Sequence, residues 1–189
     1  MCNCNLTIRC ATADDAPLVA KVVLMALHYD ESHPLYDVFK ELAARTDAQY
    51  SYCNALIAEV DGVPAGAIVG YDGGRLYELR EPLQTIMRER QGRELEIEDE
   101  TAPGEFYLDS LAVLPQFRGM GIGGKLLASA RDRAFDAGFD KVGLLVDFTN
   151  PRAEKLYFSL GFRRVNATNF LGLDMWHMQA ERKGLTMNV

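Results

Sequence analysis

Long apolar runs are absent from this 189-residue chain. Stretches such as Val142 to Val146 are far shorter than a membrane span, so no spanning helix is expected. A basic segment leading into an apolar core is also missing after Met1, which predicts a cytoplasmic protein without a secretory leader. Cysteines are few: Cys2, Cys4, Cys10 and Cys53 form no Cys-x-x-Cys pair and have no histidine nearby. Reduced thiols are expected, with no metal site and no disulfide. Positive charge is scarce too, since 20 Lys and Arg against 27 Asp and Glu leave a formal net charge of −7. That balance disfavours nucleic acid as a partner and suits a cationic one such as an amine. His28, His33 and His177 do not cluster in sequence and read as local polar residues. No internal repeat or low-complexity tract occurs.

What is present is enough apolar material, 48% of residues, to build one domain over residues 1–189. The densest signal is Gln116-Phe117-Arg118-Gly119-Met120-Gly121-Ile122-Gly123-Gly124-Lys125, placed between an apolar run and a long amphipathic segment. A glycine-rich turn that leaves a strand and opens a helix collects free N–H groups at the positive end of the helix dipole. Such a turn holds a phosphate or diphosphate.

Two patterns share these glycines. Gly119-x-Gly121-x-x-Gly124, with Asp147 closing the next apolar run, fits a dinucleotide-binding turn. That turn normally follows its strand at once, whereas Leu114 to Arg118 intervene here and include Pro115. Several strand–helix units should also follow, and residues 125–189 leave room for one more helix. The longer match is Leu111-Ala112-Val113, Pro115, Arg118-x-x-Gly121-x-Gly123 and Leu126-Leu127, followed by Asn150-Pro151-Arg152-Ala153-Glu154-Lys155-Leu156-Tyr157 to Gly161-Phe162. In order and spacing, these two blocks resemble the acyl-CoA-binding core of the GNAT N-acetyltransferases.

That resemblance implies an α/β fold: a mixed, mostly antiparallel twisted sheet of six to seven strands, with parallel central strands four and five splayed, flanked by about four helices. It implies an enzyme moving an acetyl group from acetyl-CoA to a primary amine of a small molecule or peptide, in a ternary complex. A non-catalytic acyl-CoA sensor or scaffold of the same fold is the alternative. Leu111, Ala112 and Val113 would offer main-chain partners to the pantetheine arm and the oxyanion. Arg118, Gly119, Met120, Gly121, Ile122, Gly123 and Gly124 would cradle the diphosphate through backbone N–H groups, with the Arg118 side chain bracing the turn. Asn150 would cap a helix and reach the cofactor arm.

Tyr157 would be the general acid, its phenol donating to the departing sulfur. Asp109 is the candidate base: an acid in an otherwise apolar strand, expected on one face with Tyr107, Leu111 and Val113. Glu105 is its reserve, and Glu31 or Tyr36 would line the acceptor site. No cysteine or serine in the motif has a histidine partner, so an acyl-enzyme is not expected.

Along the chain, Leu6 to Cys10 reads as a strand and Thr12 caps a helix reaching about Tyr29, with Leu18, Val22, Met25 and Tyr29 inward. Leu35 to Arg45 reads as a second helix. Ala55 to Val60 and Ala65 to Tyr71 form a hairpin about Asp61-Gly62. Residues 72–104 are an insertion between strands three and four, with Pro82 to Gln91 compatible with a helix and an acidic run from Glu94 to Glu100. It reads as a surface decoration, a substrate lid or a dimer arm, so pairing of two copies stays open.

Overall fold

The computed structural model describes residues 4–182; Cys2 lies outside the described residues. Seven strands form one sheet: β1 (Leu6–Cys10), β2 (Ala55–Val60), β3 (Val63–Asp72), β4 (Phe106–Val113), β5 (Lys141–Asp147), β6 (Arg163–Phe170) and β7 (Leu173–Glu181). Their order across the sheet is β1-β2-β3-β4-β5-β7-β6. Every neighbouring pair is antiparallel except β4 with β5.

Five helices cover the sheet among the described residues: α1 (Ala16–Ala26), α2 (Leu35–Ala43), α3 (Leu76–Gln91), α4 (Ile122–Asp136) and α5 (Pro151–Ser159). Helices α1, α2 and α3 share one core cluster with Ile57, Ala67 and Val69. The other face packs α4 and α5 against Leu56, Ile68, Leu108 and Val146. Both faces of β2 and β3 are thus buried, which is why these strands read as continuous apolar runs rather than alternating ones.

Local chemistry sets several boundaries. The β2–β3 hairpin closes on Asp61 (φ 51°) and Gly62 (φ 80°), the paired left-handed residues of a type I′ turn. Asp15 accepts from the Thr12 N–H at 2.8 Å, so the start of the first helical segment is capped as its sequence predicts. The helix itself ends at Ala26, before the expected Tyr29. His28 turns to φ 63°, and Tyr29 stacks on His33 in solvent rather than entering the core.

Helix α3 differs more. It begins at Leu76, six residues ahead of the Pro82 start expected from proline's place in a first turn, and Pro82 lies inside it. A proline there loses one backbone bond, but the helix buries Leu76, Leu79, Leu83, Ile86 and Met87 along one side, and that packing outweighs the loss. Through α3, segment 72–104 therefore contributes to the core and is not only a decoration on its surface.

A bulge shapes β4. Its register with β3 passes from Val69↔Ser110 to Gly70↔Leu108, leaving Asp109 as the extra residue. The expectation that Asp109 shares a face with Leu111 and Val113 is corrected here. The bulge shifts the alternation, so Leu111 and Val113 join Leu108 on the α4 side, and Asp109 turns with Tyr107 toward α3.

Candidate active site

The parallel pair opens almost at once. β4 and β5 are registered only at Phe106↔Val142 and Tyr107↔Gly143, after which β4 keeps β3 as partner on one side alone. From Leu108 to Val113, the edge of β4 facing β5 is an unpaired ladder edge, open to an extended ligand that supplies matching amides. Leu111, Ala112 and Val113 lie on it.

At the top of this gap the chain leaves β4 through a single 3₁₀ turn, Pro115–Phe117, and enters α4. Gly119 (φ 83°) and Gly121 (φ 74°) are left-handed, a conformation a side chain would strain, and Gly121 is the N-cap of α4. The first backbone bond of the helix is Lys125 N–H to Gly121 O, at 3.2 Å. Among the described residues, the six consecutive N–H groups from Gly119 to Gly124 have no protein acceptor. They sit at the positive end of a 15-residue helix. The Arg118 N–H is not one of them: it closes the 3₁₀ turn on Pro115 O at 3.3 Å. Its side-chain Nε instead donates to Val113 O, also at 3.3 Å, tying the turn to the end of β4.

Helix α5 stands beside the first turn of α4, where Leu156 comes close to Gly124. Asn150 caps α5 by accepting the Ala153 N–H at 3.1 Å. One residue beyond Leu156, Tyr157 packs into the cluster beneath α4, and its ring tilts against Phe162 with centroids 6.1 Å apart. Burial pushes its phenol above the ordinary tyrosine range, so it stays protonated and able to donate throughout the neutral range.

Asp109 occupies a different environment on the opposite side of the gap. Its Oδ1 accepts from Ser110 Oγ at 2.6 Å, and its Oδ2 lies 3.1 Å from both Gln49 Nε2 and Tyr71 Oη. The same two donors reach Glu100 Oε1, each at 2.7 Å. Arg80 of α3 pairs with Glu100 Oε2, both side chains almost wholly buried, and reaches Asp99 at 3.1 Å. Burial first, and the Glu100 charge second, raise Asp109 from 3.8 to about 6. Tyr157 and Asp109 share no hydrogen bond: Tyr157 packs in the cluster of α4 and α5, and Asp109 bonds to Tyr71.

Sequence reasoning did not find Gln49, Tyr71, Arg80 or Glu100. One signal was available: Arg80 falls on the apolar side of α3, between Leu76, Leu79 and Leu83, and a cation there needs a buried acid.

Glu105, the reserve base, is already committed. It is buried and accepts from Thr101 Oγ1 at 2.7 Å, Gln179 Nε2 at 2.6 Å and His177 Nε2 at 3.0 Å. Desolvation works against its charge, but these bonds prevail and hold it below the usual carboxylate range. Its Oε2 lies where a side chain at residue 143 would begin, so Gly143 is what lets β5 pass. Glu31 is paired with Lys21 at 2.7 Å, and Tyr36 is half-buried against α1 and α2. A cleft of about 500 Å³ runs beside this region, between residues 99–105 and strands β5, β7 and β6; Glu100 and Leu145 line it. Among the described residues no helix is long and apolar enough to cross a membrane.

Comparison with known proteins agrees with this geometry. The model of the acetyltransferase (GNAT) family matches residues 23–162. A mycothiol acetyltransferase of Corynebacterium aurimucosum is 45% identical over 65 residues, covering 34% of this chain and 21% of the relative. A thialysine N-epsilon-acetyltransferase of Bos taurus is 35% identical over 71 residues, covering 38% and 39%. The chain thus spans well under half the length of these curated relatives. A solved acetyltransferase structure is 36% identical with a TM-score of 0.81, covering 94% of this chain and all of its own. The fold, at 21% identity and a TM-score of 0.63, is also that of yncA from Salmonella typhimurium, solved with acetyl-CoA.

Proposed function

The chain belongs to the GNAT acetyltransferase family, and from that premise we propose that it moves an acetyl group from acetyl-CoA to a primary amine of a small molecule or peptide. Transfer is direct, in a ternary complex. One observation carries this reading: six consecutive unpaired N–H groups, Gly119 to Gly124, at a helix start beside a parted strand pair. Amides so arranged suit a diphosphate, and the free edge of β4 suits the amide-bearing arm that follows it in coenzyme A.

The chemistry then divides between two residues. Attack of the amine forms the C–N bond, and collapse of the tetrahedral adduct breaks the C–S bond. Asp109 takes the proton that the ammonium must lose, directly or through one water, which a carboxyl raised to about 6 does near neutral pH. Tyr157 supplies a proton to the sulfur, and the second proton lost by the adduct nitrogen restores the phenol; buried and neutral, that phenol is in the correct state to donate. An N–H on the open edge of β4, at Leu111 or Ala112, stabilises the oxyanion. Asn150 reaches the cofactor arm while capping α5. A net charge of −7 supports a cationic acceptor, and the exposed thiols of Cys4, Cys10 and Cys53 suit the reducing cytoplasm.

Thiol release from acetyl-CoA across a panel of amines tests the proposal. Tyr157→Phe should lower kcat by on the order of 100-fold while calorimetry finds unchanged acetyl-CoA affinity. Binding without thiol release for any amine would make the protein a sensor or scaffold. Equal turnover by Tyr157→Phe would remove the phenol from the chemistry.

A further inference from the structure

We infer that Glu100 and Arg80, carried by the segment between β3 and β4, are positioning residues for the proton acceptor: together they keep the exchangeable proton of the acid pair on Asp109. The inference rests on the role proposed above for Asp109 and concerns what makes that carboxyl usable.

The geometry is that of two carboxylates competing for two donors. Tyr71 has one hydroxyl proton, and its oxygen lies 2.7 Å from Glu100 Oε1 but 3.1 Å from Asp109 Oδ2. Gln49 Nε2 repeats the asymmetry, at 2.7 Å and 3.1 Å. Glu100 therefore has the shorter contact from each shared donor. It also has the cation, because Arg80 pairs with its second oxygen and, among the described residues, no basic side chain bonds to Asp109. Tyr50 from the loop before β2, Tyr71 from β3, and Tyr107 and Ser110 from β4 also stand near Asp109, and all are neutral. Asp99 adds an acid on the far side of Arg80.

Charge then partitions in one direction. With its ion pair and two short bonds, Glu100 is the better-paired carboxylate of the two. Asp109, facing that charge without a cation of its own, is the group on which a second negative charge is disfavoured. Its proton is the one that comes and goes. A plain anchoring role for Glu100, holding the segment to the sheet, would require none of this asymmetry.

The experiment follows the Asp109 carboxyl directly. Protein with ¹³C-labelled aspartate is titrated by NMR, with Asp109→Asn used to assign the resonance. In Glu100→Gln the Asp109 midpoint should fall by about one pH unit, the scale of a close like charge, and the acid limb of kcat/KM should fall with it. Arg80→Lys keeps a cation and should leave the midpoint near the parent's. An unmoved or raised midpoint in folded Glu100→Gln would overturn the inference. Should that variant not fold, Arg80→Met combined with Glu100→Gln removes both buried charges and gives the same reading. A midpoint that moves while the acid limb stays fixed would instead remove Asp109 from the reaction and leave its coupling to Glu100 standing.

Discussion

Asp109 shows how burying one carboxyl costs stability. Between about pH 4 and 6 the unfolded chain has lost this proton while the folded chain still holds it. The folded state binds more protons in that window, so stability falls as pH rises through it. A displacement from 3.8 to about 6 corresponds to about 3 kcal/mol. Asparagine does not titrate. Urea unfolding of parent and Asp109→Asn should therefore diverge with pH, the parent losing about 2 kcal/mol relative to the variant from pH 4 to pH 7. A pH-independent difference would mean the carboxyl is not raised. Glu105, four residues earlier, meets the opposite fate because three donors converge on it. Two acids four residues apart thus differ in their proton affinity through what surrounds them, a difference invisible in the sequence.

Among elements, the turn into α4 and the bulge in β4 decide most. The turn was legible: its glycines, their spacing and the proline ahead of them already describe a strand-to-helix bend lined with N–H groups. Gly121→Asp should abolish acetyl-CoA binding in calorimetry, since residue 121 holds φ 74° and an added carboxylate would repel phosphates. Retained binding would place the diphosphate elsewhere. The bulge was not legible, because strict alternation is the default reading of a strand and a single extra residue reverses it. Helix α3 was read only in part. Proline marks a helix start by local preference, whereas the burial of Leu76 and Leu79 depends on a sheet face supplied by distant residues.

Over the molecule as a whole, the acidic excess is a field rather than a contact. It draws cations to the surface and fades as salt shortens its reach, to about 10 Å at 0.1 M. Raising salt from ~20 to ~200 mM should therefore lower kcat/KM for a dicationic amine more than for a monocationic one. Equal responses would show that the −7 charge does not guide the acceptor.

The sequence by itself determined the order of strands and helices, the parallel crossover, the phosphate-competent turn and the tyrosine after it, because each depends on neighbours within a few residues. Tertiary structure alone decided which way Asp109 faces and which groups share its proton. Gln49, Tyr71, Arg80 and Glu100 come from four separate stretches of chain, and only the packing of α3 and the returning acidic segment against β4 brings these side chains within reach of one another.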